Sequence, residues 1–259
     1  MGSNGMHVIL THENADFDAI ASLLGASKLF PAATPVLPRR VNRNVGAFLA
    51  LYGDELPFVE ARELPRGKIT RAILVDTQGL VMLKGMEKNL PVDIIDHHEL
   101  DRELPPNWTY TGEPLGATAT LLIEEISARN LRLTSIEATL LLLGIYEDTG
   151  PLSYVGTTPR DVRAAAWLME QGASLAVVNE FIHHPLSPQQ RELYERLLER
   201  SENLEIEGHT ITIAWADAPG FTDEVSTVVH KLRELLEPAA LFVLVGLDRR
   251  VQLVARSTT

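Results

Sequence analysis

Cysteine is absent from the 259-residue sequence. Its absence excludes disulfides and thiolate metal ligands, so any metal ion must be held by histidine and carboxylate side chains. No apolar run reaches the ~18 residues that span a bilayer, and the start lacks a signal-peptide pattern. A protein without cysteine also fits a reducing compartment. We therefore expect a cytoplasmic protein that does not contact a membrane.

Basic residues are also scarce, since 23 Lys and Arg against 35 Asp and Glu give a net charge of -12. Long duplex DNA usually needs a basic face on its partner, so the charge argues against that ligand. It is compatible with a small phosphate substrate, because bound metal ions reverse the sign of a cluster of acids. The hydrophobic fraction of 45% is enough for a sizeable core.

Short apolar runs alternate with helical patterns in the first half of the chain. The runs HVILTH, TPVLP, AILVDT and VDIIDHH predict strands, and DAIASLLGASKLF predicts a helix after the first. Continuous apolar runs are typical of parallel strands covered on both faces. The sequence therefore predicts an α/β domain with a parallel sheet and helices on both faces, in which ligands bind at the carboxyl ends of the strands.

Helix signals dominate the middle of the chain. One helix is expected to start near Thr118, and a second has Ser135 as its predicted N-cap. A third opens with Thr158 and closes at Gly172.

A polar helix follows, and its charges are spread round most of its faces. We expect it to be a linker over 187–203, between a first domain at 6–186 and a second at 204–259. The second domain has a strand–helix–strand pattern and ends in RVQLVARST, a predicted parallel strand. An edge strand with nothing after it predicts a smaller α/β lobe that is incomplete.

Acids and histidines cluster at four places, three of which are carboxyl ends of predicted strands. The eight residues are His12, Asp16, Asp18, Asp76, Asp96, His97, His98 and Asp148. Each has an ordinary explanation alone, because Asp16 or Asp18 could cap a helix and Asp76 could belong to a turn. Chance is a poor explanation for five carboxylates and three imidazoles at one edge of a sheet.

These donors predict a metal site. Imidazole and carboxylate ligands without sulfur suit Mn²⁺, with Mg²⁺ or Co²⁺ as alternatives and Zn²⁺ not excluded. Two ions about 3.5–4 Å apart, joined by a bridging carboxylate, would clamp a phosphoryl group and activate a water molecule. The set contains enough ligands for two ions.

Four motifs in the order HENADFD, VDTQ, DHHE and GIYEDTG lie between Met6 and Gly150. In kind and order they resemble the motifs of the DHH phosphoesterases, a family that includes RecJ-type exonucleases, nanoRNases, cyclic-di-AMP phosphodiesterases, exopolyphosphatases and family II inorganic pyrophosphatases. Ala15 stands where the family usually has proline, which removes rigidity but no ligand. The resemblance implies a hydrolase that cleaves phosphodiester or phosphoanhydride bonds of short oligonucleotides or nucleotide phosphates.

The resemblance also implies a role for each of these residues. One metal ion would be held by His12, Asp16 and Asp76, and the other by Asp18, Asp76, His97 and Asp148, so that Asp76 bridges them. His98 would contact the scissile phosphate or the leaving oxygen. Asp96 would orient both histidines of the motif.

From about Leu204 the chain resembles the start of the DHH-associated C-terminal domain, whose Gly-Gly-Gly-His motif is not in this sequence. Either the chain is a fragment of a longer protein, which we favour, or this motif was lost. A weaker resemblance connects the chain with long bacterial proteins that fuse a DHH module to a tRNA nucleotidyltransferase or poly(A) polymerase-like domain.

Arg39, Arg40 and Arg43 form the one dense basic cluster of the sequence. They are either a solvated loop or a phosphate clamp, since arginine binds phosphate through two hydrogen bonds. Arg256 is a further candidate for phosphate binding. His183 and His184 are expected to be linker residues, because adjacent side chains on a helix do not face each other.

Three functions remain open from the sequence. The first is the phosphoesterase described above, with short RNA or a nucleotide phosphate as its substrate. The second is a manganese-dependent inorganic pyrophosphatase or exopolyphosphatase, although pyrophosphatases of this family carry a different second domain. The third is a non-catalytic RNA-binding module of a larger tRNA nucleotidyltransferase. The oligomeric state is open, with a dimer among the alternatives.

Overall fold

Residues 5–100, 102–182 and 186–257 are described by a computed structural model of the chain. Contacts between residues divide the chain into two units, Met1–His184 and Pro185–Thr259. Within the described ranges, no helix has both the length and the apolar character needed to cross a membrane.

The first unit is built on a parallel sheet, so the predicted α/β class is confirmed. Its strands pair in the order β3-β2-β1-β4-β5-β6, and every pair is parallel. The strands are β1 (Met6–Leu10), β2 (Ala33–Leu37), β3 (Val59–Glu60), β4 (Ile69–Val75), β5 (Val92–Ile95) and β6 (Trp108–Thr111). Neither β3 nor β6 was predicted, because both are short and neither is a continuous apolar run.

Within the described ranges, six α-helices belong to this unit: α1 (Phe17–Leu29), α2 (Arg43–Tyr52), α3 (Thr118–Ala128), α4 (Ser135–Thr149), α5 (Pro159–Glu170) and α6 (Leu175–Ile182). The start of α3 at Thr118 and that of α5 after Thr158 agree with the sequence signals. The N-cap of α4 is Thr134 and not Ser135, because the Thr134 hydroxyl accepts from the backbone of Glu137 while the Glu137 carboxylate accepts from the backbone of Thr134.

Apolar side chains cover both faces of the sheet. Ile9, Ile73 and Val75 belong to a core that includes side chains from all six helices. Val8 and Leu74 point the other way, into a second core. Among the described residues this second core contains no helical side chain, and its covering residues come from segments between strands. The two-sided burial explains why the strands read as continuous apolar runs.

The strand order reverses between β1 and β4. From β1 the chain proceeds to β2 and β3 on one side of the sheet, and from β4 to β5 and β6 on the other. In open parallel sheets, ligands bind at the carboxyl ends of strands where the order reverses. His12 follows β1 and Asp76 follows β4, so the fold places both residues at this position.

Helix α1 packs closely against α4. A Cβ atom added to Gly144 of α4 would lie 2.6 Å from the Cβ of Ala21 and 3.3 Å from the Cα of Asp18. Only glycine allows the two backbones to approach this closely. Because Gly144 lies about one helical turn before Asp148, this contact also sets the position of Asp148 relative to Asp18.

The second unit contains a mixed sheet in the order β10-β9-β8-β7, in which only β8 and β9 are parallel. Its elements are α7 (Pro188–Glu199), β7 (Ser201–Ile206), β8 (His209–Asp217), α8 (Val225–Leu236), β9 (Ala240–Leu247) and β10 (Arg250–Ser257).

Two details of this unit differ from the sequence-based expectation. The predicted linker helix ends earlier, at Glu199, and buries Leu193 and Leu197 in the core of the second unit, so it is not a free connector. The last strand, β10, is antiparallel to β9 and not parallel. Only two residues separate these strands, whereas a parallel pair needs a crossover of a dozen residues or more.

Candidate metal centre

All eight acids and histidines predicted for the site meet at the carboxyl edge of the first sheet. They form three overlapping groups, in each of which one donor atom per residue lies within 4.8 Å of the others. The groups are His12, Asp16 and Asp76; Asp18, His97 and Asp148; and Asp76, Asp96, His97 and His98. The sequence-based prediction that Asp16 and Asp76 share one site is therefore consistent with the geometry.

Asp76 lies between two histidines. Its Oδ2 is 3.4 Å from His12 Nε2, and its Oδ1 is 3.8 Å from His97 Nε2. The carboxylate is buried, and the Thr118 hydroxyl donates a 3.0 Å hydrogen bond to Oδ1. Since each oxygen faces a different imidazole, this carboxylate has the arrangement that a bridging ligand requires.

The backbone of Asp76 has an unusual conformation. Its φ of 53° lies in the left-handed region, which aspartate tolerates better than most residues other than glycine. Its amide donates a 3.0 Å hydrogen bond to the carbonyl of Ile95, the last residue of β5. This bond extends the pairing of β4 and β5 by one residue, and so holds the side chain at the sheet edge in a conformation that costs energy.

His97 is oriented for a metal ion. Its Nδ1 is 2.9 Å from the carbonyl oxygen of Leu115, which can only accept, so Nδ1 carries the proton and Nε2 has the lone pair. Nε2 is buried 3.4 Å from Asp148 Oδ2, and no group among the described residues forms a hydrogen bond with it. An unsatisfied buried nitrogen is costly in isolation, and a cation beside the neighbouring carboxylates would satisfy it.

His12 has the same arrangement on the other side of Asp76. Its Nδ1 is 2.9 Å from the carbonyl oxygen of Glu13, so the neutral ring, which is the form that binds a metal ion, would present its lone pair at Nε2. That nitrogen is 4.0 Å from Asp16 Oδ1. Asp16 is held by the start of α1, where its Oδ1 accepts a 3.0 Å hydrogen bond from the amide of Ala19. The helix N-terminus thus fixes one carboxylate of the group.

Asp18 and Asp148 come from two packed helices. The buried carboxylate of Asp18 accepts from the amides of Thr118 and Ala119 at 2.7 and 2.9 Å. It thereby caps α3, whose own N-cap residue, Ala117, has no side-chain oxygen. Asp148 lies in the last turn of α4, and the contact at Gly144 holds the two helices together.

The carboxylates raise one another's pKa. Burial, followed by the charges of Asp16 and Asp76, raises the pKa of Asp148 to about 8. The pKa of Asp18 is raised for the same two reasons, burial and neighbouring carboxylates. The hydrogen bond to Asp76 raises the pKa of His12 to about 9. The centre therefore favours extra positive charge, and this donor set fits a divalent metal ion.

The family model described as "DHH family, N-terminal domain" matches residues 7–145, more than half of the chain. The chain belongs to the DHH family. It is 35% identical to an A-adding tRNA nucleotidyltransferase of Geobacter sulfurreducens over 97% of this chain and 29% of that protein. It is 30% identical to a manganese-dependent inorganic pyrophosphatase of Bacillus subtilis over 63% of this chain and 54% of that one.

A solved structure extends the comparison to the whole fold. An exopolyphosphatase-related protein from Bacteroides fragilis superposes with a TM-score of 0.76 at 14% sequence identity, covering 98% of this chain and 79% of that chain. At this identity the likeness concerns the fold alone. The chain spans less than a third of the length of the tRNA nucleotidyltransferase it resembles.

Within the Asp-His-His motif of the family, Asp96 contacts one histidine and not both. Its Oδ1 accepts from Nδ1 and from the amide of His98 at 2.8 and 3.2 Å. His97 is oriented by Leu115 instead, so the expectation that Asp96 orients both rings is wrong for this structure. The side chain of His98 is 62% exposed, which leaves it accessible to a substrate.

Three residues of the DHH domain that sequence reasoning missed support the site. Thr118 contacts Asp76, Asp18 and His97. Gln78 donates a 3.3 Å hydrogen bond to Asp96. Glu147 accepts from the amide of Phe17 and from Asn42. Gln78 and Glu147 lie inside the motifs VDTQ and GIYEDTG, so their position was a usable signal; Thr118 had none beyond its place at a helix start.

The basic residues proposed for phosphate binding lie in different places. Arg39, Arg40 and Arg43 are exposed, and the backbone of their segment contacts Ala15 in the loop between β1 and α1. Arg256 is exposed in β10 of the second unit. Their role in phosphate binding stays a prediction. His183 and His184 lie outside the described residues.

Proposed function

We propose that this chain is a two-metal phosphoesterase that hydrolyses phosphodiester or phosphoanhydride bonds of short oligonucleotides or nucleotide phosphates. The observation that carries the proposal is the position of Asp76, whose two carboxylate oxygens face His12 and His97 separately. A carboxylate shared by two donor groups is what a pair of metal ions about 3.5–4 Å apart needs.

Two Mn²⁺ ions are the proposed cofactors. His12, Asp16 and Asp76 would hold one, and Asp18, Asp76, His97 and Asp148 the other. When bound, such ions polarise phosphoryl oxygens and lower the pKa of water. The choice of Mn²⁺ is supported by the donor chemistry and by the manganese dependence in the name of the Bacillus subtilis relative.

His98 is the proposed contact to the reacting phosphate. Asp96 accepts from its Nδ1, which fixes the ring and directs Nε2 away from the motif. Nε2 could then donate a hydrogen bond to a phosphate oxygen or to the leaving oxygen. Gln78 holds the other oxygen of Asp96 and keeps this carboxylate in position as the reaction proceeds.

A manganese-dependent inorganic pyrophosphatase or exopolyphosphatase is the second candidate. The match to the Bacillus subtilis pyrophosphatase, 30% identical over 169 residues, favours it. The metal centre described above would serve both candidates, because both need two ions and a phosphoryl group between them.

A non-catalytic RNA-binding module of a larger tRNA nucleotidyltransferase is the third candidate. It is favoured by the 35% identity to the Geobacter sulfurreducens protein over 97% of this chain. This candidate predicts metal binding and RNA binding with negligible turnover.

One experiment separates the three candidates. The full chain is assayed with Mn²⁺ on pyrophosphate, pAp, a cyclic dinucleotide and a short RNA side by side, with Asp76→Asn as the background. Turnover of the RNA or pAp above pyrophosphate supports the phosphoesterase. A preference for pyrophosphate supports the second candidate, and RNA binding without turnover of any substrate supports the third.

A further inference from the structure

A groove lies at the carboxyl ends of β2 and β3, the same edge of the sheet as the candidate metal centre. We call it the β2–β3 groove; the lining residues that matter here are Arg39, Val41, Leu49, Arg62, Met82 and Lys84. Its volume is about 540 Å³, within the range of ~300–1,000 Å³ that is usual for small-molecule sites. The four chain segments that form it all belong to the first unit.

The lining residue Val41 contacts the loop between β1 and α1, which carries His12 and Asp16. Val41 forms an isolated parallel bridge with Ala15, and the amide of Asn42 donates a 2.8 Å hydrogen bond to the carbonyl of Ala15. Asp16, a proposed ligand, is the next residue. Bridged strands lie about 4.8 Å apart, so the lining residue Val41 neighbours the loop that carries Asp16, and a molecule whose phosphate sits at the metal centre can extend along this edge of the sheet toward the groove.

The charge of the groove suits an anion. Arg62 is paired with Glu60 through two contacts, of 2.8 and 3.0 Å. Within the part of the chain that the structure describes, Arg39 and Lys84 have no acidic partner and are exposed. Two uncompensated cations in a chain of net charge -12 make this groove locally attractive to phosphate.

Its remaining surface is apolar. Val41, Leu49 and Met82 line it, and Met82 is 61% exposed although it is large and hydrophobic. Apolar side chains can hold the face of a nucleobase, and methionine adapts to irregular ligand surfaces. Pyrophosphate and polyphosphate have no apolar part that would benefit from these contacts.

We propose that the β2–β3 groove binds the nucleoside and phosphate adjoining the scissile phosphate of a short oligonucleotide. The inference rests on the proposed phosphoesterase function. It adds a binding site for the neighbouring nucleoside and narrows the substrate to a nucleotide chain, as opposed to an inorganic polyphosphate. Arg39 and Lys84 bind the phosphate, and Met82 with Val41 contacts the base.

Direct binding tests the groove without depending on turnover. Anisotropy of a fluorescein-labelled RNA trinucleotide is measured on the full chain and on Arg39→Ala, Lys84→Ala and Met82→Glu. We expect each variant to weaken binding about tenfold, the size of one lost ion pair or base contact. Arg66→Ala is the matched control, because Arg66 is exposed near Arg62 but does not line the groove, and it should stay within about twofold.

The outcomes keep the groove and the proposed function apart. If the chain hydrolyses the RNA with Mn²⁺ but the groove variants keep both its Kd and its KM, the function stands and the groove inference is overturned. If the variants weaken RNA binding and no substrate is turned over, the groove stands and the function fails. If inorganic tripolyphosphate displaces the RNA and Met82→Glu binds as well as the unaltered chain, the groove is a plain anion site and the nucleotide assignment is wrong. Absence of RNA binding by the unaltered chain also overturns it.

Discussion

The sheets of the two units differ in how many of their faces are buried. The first sheet carries apolar cores on both faces. The second buries side chains such as Val243 with α7 and α8, while its opposite face leaves Trp215 and Leu253 exposed by 41% and 60%. A sheet fixed on both sides has little freedom to shift, and catalytic sites need their groups held to within about 0.5 Å.

The two units also differ in the number of acidic and histidine side chains that lie close together. Each unit has an aspartate at the end of a parallel strand: Asp76 after β4 and Asp217 at the end of β8. Among the described residues, every group of potential metal donors lies in the first unit. The strand end alone therefore does not make a site. The reversal of strand order and the helices α1 and α4 bring the further candidate ligands, and α3 supports them through Thr118.

The largest expected effect is the loss of the shared carboxylate. We expect Asp76→Asn to lower Mn²⁺-dependent hydrolysis by at least about 10³-fold, more than the ~10–100-fold that follows loss of a supporting hydrogen bond. Asp217→Asn is the matched control from the second unit and should keep activity within about twofold. The measurement is kcat/KM on the best substrate, with circular dichroism to verify folding. Similar losses in both folded variants would remove the distinction between the two strand ends.

The strand ends and motifs of the first unit could be predicted because burial on both faces leaves a continuous apolar run before each acid. The supporting role of Thr118 could not be predicted, because its hydrogen bonds to Asp18 and Asp76 join residues that lie 100 and 42 positions apart in the chain. The groove residues likewise come from four separate segments, and their proximity depends on the fold.

The second unit was harder to predict for a related reason. Charged residues surround Leu193 and Leu197 in the sequence of α7, so no apolar face is evident and the pattern is typical of a linker helix. In β10 the neighbours Leu253 and Val254 are both apolar although they point to opposite faces, and such a run is typical of a parallel strand. The short turn before β10 was the better guide to its direction.

The next effect in size concerns the hydrogen bonds around the ligands. Thr118→Val keeps the shape of the side chain but removes the hydroxyl that donates to Asp76 and accepts from the amide of His97. We expect Mn²⁺ affinity, measured by calorimetry, to fall about 10–100-fold. Thr212→Val is the control, since this buried threonine of the second unit donates a 2.7 Å bond to Asn203. It should lose roughly 1 kcal/mol of stability and bind Mn²⁺ normally; equal affinities in the two variants would contradict a supporting role for Thr118.

A smaller effect is expected from the contact between α1 and α4. Gly144→Ala places a methyl group 2.6 Å from the Cβ of Ala21, so the helices must separate. Overpacking of this kind costs about 1–3 kcal/mol, and the shift should weaken Mn²⁺ binding several-fold because Asp18 and Asp148 move apart. Gly46→Ala in α2 meets nothing closer than 3.7 Å and should be neutral or slightly stabilising. Thermal unfolding with and without Mn²⁺ measures both effects, and an unchanged metal-induced shift in Gly144→Ala would show that the ligands do not depend on this contact.

The smallest expected effect tests the exposed face of the second sheet. Leu253 and Val254 are neighbours in β10 with exposures of 60% and 9%, so the same charge introduced at each should have different consequences. Leu253→Asp places a carboxylate in water and should change stability by about 0.5 kcal/mol or less. Val254→Asp buries the charge in the core beneath α8 and should cost several kcal/mol.

Amide hydrogen exchange of the β8 and β9 peptides reports on the second unit directly, and Mn²⁺ affinity should be unchanged in both variants because the donors lie in the first unit. Strong loss of protection in Leu253→Asp would mean that this face is covered in solution, and the contrast between a sheet buried on two faces and one buried on a single face would then no longer hold.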